Sequence, residues 1–200
     1  MPHVPKRAQP VDPPSRSARL DRGRRAGLIL KTATDKARIH ALVEFGEWLV
    51  LAAPSRGQAH TEWYQAGAAW LRPGHLWTAV TVPAHLIHAA VDRPSPQECA
   101  PLLARALDGG PLFYRPPGAG RGPAYTALLR VSEGRLWEEP GTRACSPRAM
   151  VLVPAPGVCA PAGDERPWWV VPGGKSRWCS SVPLAELVAA GRTAGGGLGG

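Results

Sequence analysis

Apolar positions recur along this chain at two different periods, and the places where the period changes divide it into elements. In "TDKARIHALVEFGEWLVLAAP", residues 34–54, Ile39, Leu42, Val43, Gly46, Leu49 and Val50 fall on one stripe, the repeat of an amphipathic helix. Thr34 can cap it, Asp35 suits its first turn and Pro54 stops it, while Phe45 and Trp48 widen the apolar face. A polar link, "SRGQAH", leads to "TEWYQAGAAWLRPG", residues 61–74. There Trp63, Ala66 and Trp70 keep helical spacing, with Thr61 as N-cap and Pro73-Gly74 as the stop. The period then drops to two. Leu76, Thr78, Val80 and Val82 alternate with Trp77, Ala79 and Thr81, which predicts a strand over 76–82. Both alternating sets are fairly apolar, so the strand is expected to be covered on both faces. Pro83 ends it and opens a short helix, "AHLIHAAV". "SPQECAPLLARALDGG", residues 95–110, predicts a further helix: Ser95 caps, Pro96 is the first helical residue, Glu98 completes a capping box and Gly109-Gly110 stop it.

The second half changes character. "GPLFY" (110–114), "AYTALLRV" (124–131), "RAMVLVP" (148–154) and "PWWVVP" (167–172) are short β-type runs separated by links rich in Gly and Pro. Turns of that kind predict antiparallel neighbours rather than βαβ crossovers. "SVPLAELVAAG", residues 181–191, predicts a closing helix capped by Ser181. The expected fold is α+β: a mixed, mostly antiparallel sheet of about five strands with N-terminal and flanking helices. The expected organisation is a disordered basic tail over 1–27, a single domain over 32–190 and a Gly-rich tail over 191–200.

Charge singles out the N-terminal tail. Residues 1–25 carry seven Lys and Arg against Asp12 and Asp21, so +5 of the net +9 sits there, together with five prolines. Low hydrophobicity and like charge predict disorder, and a cationic arm is drawn to polyanions, nucleic acid foremost. Arg16, Arg19, Arg22, Arg24 and Arg25 are the expected contacts of a weak, non-specific association. The alternative is a solubilising arm without a specific partner. The arm lacks the apolar stretch of a secretory signal, and no run of 18 apolar residues occurs, so a cytoplasmic protein with no membrane partner is expected. The four cysteines, Cys99, Cys145, Cys159 and Cys179, have no C-x-x-C spacing and are expected as free or buried thiols.

Candidate chemistry is sparse. His85 and His88, three apart on one helix, share a face, but a zincin helix needs H-E-x-x-H, and Leu86 and Ile87 separate them here. "VVPGGKSRW" ends like a phosphate loop at Gly174-Lys175-Ser176. The motif's first glycine falls on Trp169, however, and no helix follows directly, so a turn exposing Lys175 is expected instead. No G-x-S-x-G elbow is present. The tight acidic pairs, Glu138-Glu139 and Asp164-Glu165, lie in turn-rich links. Of eight tryptophans, Trp169 and Trp178 flank Lys175 and Arg177, the best local setting for stacking a base beside a phosphate contact. Lys175 and Arg177 therefore join the arm as candidate nucleic-acid contacts. No catalytic residue, metal site or cofactor is expected.

The order of short motifs from 76 to 172, "LWTAVTVP", "GPLFY", "AYTALLRV", "VLVPAP" and "WWVVP", resembles small actinobacterial proteins related to the N-terminal domain of bifunctional DNA primase–polymerases. Where such relatives show Asp in the first strand this chain has Thr78, and their paired metal-binding carboxylates and Cys/His-containing N-terminal segment have no counterpart. The resemblance implies a shortened, non-catalytic or degenerate bacterial member that associates with nucleic acid. A small enzyme of other chemistry and a protein-interaction module are the alternatives.

Overall fold

The computed structural model describes residues 34–118, 120–161, 166–174 and 176–196. The arm residues Arg16, Arg19, Arg22, Arg24 and Arg25, and Lys175, lie outside the described residues. By spatial contacts the chain divides between Arg38 and Ile39. Of the first unit, residues 34–38 are helical and exposed.

The second unit, residues 39–200, is built on a five-stranded sheet. Its helices and strands, in chain order, are α1 (39–50), α2 (Arg56–Ala66), β1 (Ala68–Leu71), β2 (Thr78–Pro83), α3 (Ala84–Val91), α4 (Pro96–Ala106), β3 (Leu112–Arg115), β4 (Ala124–Leu129), α5 (Val131–Arg135), β5 (Arg143–Ala144), β6 (Val151–Pro154), β7 (Trp168–Val171) and α6 (Ser181–Gly196). The large sheet runs β5-β2-β4-β3-β7, and β1 with β6 forms a separate pair. Every pairing is antiparallel, and the fold is α+β.

The strand and helix expected over 76–91 form as β2 and α3, and β2 is an interior strand, flanked by β4 and β5. Strict alternation sorts its side chains onto two cores. Val80 and Val82 join Tyr125, Ala127, Leu129 and the inner faces of α3, α4 and α6. Ala79 joins Phe113, Leu128 and Trp169 under α1, α2 and the β1–β6 pair. Ser95 caps α4 as expected, its hydroxyl accepting from Glu98 N–H at 3.3 Å. α3 and α6 pack closely at Gly191, where an added Cβ would stand 2.0 Å from the Leu86 carbonyl oxygen.

Four local expectations are corrected. The link "SRGQAH" is itself the start of α2, with Ser55 rather than Thr61 as N-cap; Ser55 accepts from Gln58 N–H at 3.3 Å, and Thr61 sits inside the helix. That helix ends before Trp70. Gly67, at φ 69°, closes it in the left-handed region that glycine tolerates best, and the chain turns into β1, which pairs with β6. On α1 the buried side is Phe45, Trp48, Leu49 and Val50, while Ile39 (62 % exposed) and Val43 (58 %) face solvent; the aromatic side has more area to bury and wins the core. Finally, residues 191–196, expected as tail, continue α6. No helix among the described residues is long and apolar enough to cross a membrane.

Candidate polyanion-binding cleft

The β2–β4 register places one end of the sheet in an unusual setting. Thr81 lies opposite Thr126 on one side and Arg143 of β5 on the other, and Thr126 lies opposite Phe113. In the next row Pro83 and Arg115 both face Ala124. Residues directly opposite in an antiparallel pair share a face, so Thr81, Arg143, Ala124 and Arg115 stand on the same face as Phe113 and Leu128. Towards the middle of the sheet that face is covered by α1, α2 and the β1–β6 pair. Towards the Pro83 end it opens as a cleft of about 650 Å³.

Three arginines line this cleft: Arg115 from the end of β3, Arg121 from the β3–β4 turn and Arg143 from β5. Thr81, Pro83, residues 122–124, Gly141 and Thr142 complete its described lining, which contains no Asp or Glu. The turn that carries Arg121 is pinned by reciprocal backbone hydrogen bonds between Gly118 and Arg121, at 3.0 and 2.9 Å. Arg115 is half-buried and donates to Gly122 O at 3.1 Å. Burial, and after it the charge of Arg121, hold the Arg115 guanidinium below its ordinary range; a guanidinium remains charged even so. None of the three arginines forms an ion pair with a described residue. The carboxylate nearest in sequence to Arg143, that of Glu139, is taken by Arg192 of α6 at 3.0 Å, and Arg192 also donates to Pro140 O. Thr142 is held in the same rim: its hydroxyl donates to Glu139 O at 2.6 Å and accepts from Trp137 Nε1 at 2.7 Å. Guanidinium groups gathered around a concave floor, one of them held by a hydrogen bond, suit phosphate oxygens, which they bind in a bidentate fork.

The sequence-derived candidates are distributed differently. Arg177 is exposed. Its neighbour Trp178 donates from Nε1 to Leu76 O at 3.2 Å, stacks edge-on against Trp48 at 5.7 Å and carries the Arg130 guanidinium over its ring at 5.1 Å. Trp169 is 1 % exposed, wedged between Phe45 and Phe113. Trp169 is therefore core packing, and one face of Trp178 is already occupied by a cation. Ser176 is engaged locally, donating to Trp178 O at 2.6 Å.

His85 is exposed and His88 half-buried, and His88 Nε2 hydrogen-bonds the Tyr125 hydroxyl at 3.0 Å. Burial, and secondarily the charge of His85, lower the His88 pKa, while burial raises that of Tyr125. Both groups are thus uncharged in the fold near neutrality. Among the described residues no three His, Cys, Asp or Glu side chains gather so as to hold a metal. Cys99 and Cys179 are buried free thiols, and Cys145 and Cys159 are half-buried; burial, followed by the charge of Glu133, pushes Cys179 up to about 12, which makes it unreactive as a nucleophile near neutral pH.

Sequence reasoning missed the cleft arginines. The signal for two of them was present: Arg115 and Arg121 flank the Gly/Pro-rich link "PPGAG" with no acidic residue nearby. No protein family, curated protein or solved structure matches the chain, so the resemblance to primase–polymerase domains rests on the short motifs alone.

Proposed function

We propose that this protein associates with nucleic acid without acting chemically on it, as a shortened primase–polymerase-like domain of a bacterial cytoplasm. The sugar–phosphate backbone lies in the arginine cleft, and the basic arm adds long-range attraction. One observation carries this reading: Arg115, Arg121 and Arg143 converge on one cavity whose described lining holds no carboxylate. Like charges held together repel, and a bound polyanion relieves that repulsion while releasing its counterions. Sequence discrimination is not expected, because arginines that meet phosphates position a strand without reading its bases.

Salt-dependent binding of a fluorescent duplex tests the reading. Each neutralised phosphate contributes about −0.9 to the slope of log K against log salt. Replacing the three cleft arginines by Gln should flatten the slope by about 2 to 3. Replacing Arg16, Arg19, Arg22, Arg24 and Arg25 by Gln should flatten it by about 4. Full affinity and slope in the cleft variant would remove the cleft from the proposal, and no retention of DNA by the unaltered protein even at low salt would end it.

A further inference from the structure

At the opposite end of the same sheet, where β2 begins and β4 ends, a second cavity of about 340 Å³ opens. Three ionisable side chains from two separate segments line it: Arg72 and His75 from the loop between β1 and β2, and Arg135 from the last position of α5. Residues 51–54 and Pro147 bring no charge to it, and no Asp or Glu is among its lining. None of the three side chains forms an ion pair with a described residue. The walls are fixed by backbone hydrogen bonds: Arg72 N–H to Ala52 O at 2.9 Å and Gly74 N–H to Trp77 O at 2.8 Å. Leu76 O is held in turn by Trp178 Nε1 at 3.2 Å.

We infer that this cavity is a site for a small oxyanion, a phosphate or sulfate group. Two guanidinium forks match the oxygens of such a group, and the His75 imidazole adds a further hydrogen-bond donor. The C-terminal end of α1 borders the cavity, and a helix end of that polarity opposes an anion. Its carbonyls are occupied, however: Trp48, Leu49 and Val50 O accept from the N–H groups of residues 51, 52 and 53 at 3.3, 3.0 and 3.1 Å. The charged groups that face His75 in the cavity are thus Arg72 and Arg135. At about 340 Å³ the space lies at the small end of small-molecule sites, which fits an oxyanion or a compact phosphate ester rather than a polymer strand.

Sulfate is the probe, titrated into the full chain at constant pH and ionic strength while the His75 imidazole resonance is followed. Saturable binding that moves this resonance is expected. His75→Gln should weaken it, and Arg135→Gln should weaken it by about tenfold, the loss of one charge-assisted hydrogen bond. Both residues are exposed, so neither change threatens the fold. Inorganic phosphate and glycerol 3-phosphate distinguish the source: equal affinity assigns a free oxyanion, and tighter binding of the ester assigns a phosphorylated small molecule. A His75 resonance indifferent to sulfate, or sulfate binding that persists unchanged in both variants, would overturn the site. The cleft variant lacking Arg115, Arg121 and Arg143 should retain this binding, so the two proposals fail separately.

Discussion

On one face of the five-stranded sheet Val80, Val82, Tyr125, Ala127 and Leu129 are fully buried beneath α3, α4 and α6. On the other face Ala79, Phe113 and Leu128 are buried just as completely beneath α1, α2 and the β1–β6 pair. The faces part company one row further on. Val82 on the helical side is still inaccessible to solvent, whereas Thr81 and Arg115 on the tryptophan-rich side are half-exposed. The strands continue past their cover, and where the cover stops, the alternating set changes from Ala and Phe to Thr, Pro and Arg. A ligand reaches a sheet of this kind only where one face is left open, so the end of the cover on the tryptophan side marks the cleft.

If the two faces differ only in how far their cover extends, they should be equally intolerant of change where both are covered. Trp169→Ala tests the tryptophan side. Its ring packs edge-on against Phe45 at 5.4 Å and Phe113 at 5.3 Å, and Nε1 donates to the Pro154 and Ala155 carbonyls at 3.2 Å each. Truncation empties a cavity and removes both of those hydrogen bonds, costing about 3–5 kcal/mol. Denaturant unfolding should show that loss. A cost under about 0.5 kcal/mol, the range of an unimportant surface change, would mean that this face is not a core.

Gly191→Ala is the counterpart on the helical side. The new methyl group would meet the Leu86 carbonyl oxygen at 2.0 Å, forcing α6 away from α3 at a cost of about 1–3 kcal/mol. Alanine is otherwise the better helix former by roughly 1 kcal/mol, so the sign of the effect is informative. Stabilisation of the variant would show that α3 and α6 do not approach closely at this point.

The same contrast explains how much of the molecule could be read from its residues. β2 and α3 were legible because strict alternation, one proline and a short apolar helix are all local signals. α4 was legible through Ser95 and Glu98. β1 was not: Trp63, Ala66 and Trp70 hold helical spacing, and what makes 68–71 a strand is pairing with 151–154 far along the chain, which no local pattern displays. Gly67 was the one visible sign that the helix stops there. The outward side of α1 was misread because a stripe of Ile and Val matches the helical period as well as the side carrying Phe45 and Trp48. The cleft was only partly legible: Arg115 and Arg121 flank one Gly/Pro-rich turn, but Arg143 joins them only through the β2–β5 register. The arm, by contrast, stood out by charge alone.

The smallest predicted effect lies at the rim of the closed face, and it concerns pH. His88 Nε2 hydrogen-bonds the Tyr125 hydroxyl at 3.0 Å, and burial, then the charge of His85, depress the His88 pKa in the fold. An unfolded histidine takes up a proton near pH 6.5. Below that pH the unfolded chain binds a proton that folded His88 resists, so unfolding gains. The contribution of His88 is therefore complete above about pH 6.5 and is lost as pH falls from there through the depressed folded value. Comparing Tm of the unaltered protein with that of His88→Gln cancels the other histidines. The advantage of the unaltered protein should be largest at pH 7.5 and shrink on going to pH 5. An advantage that grows with acidity would mean that the imidazole is charged in the fold, and that this rim is wetter than the closed face beneath it.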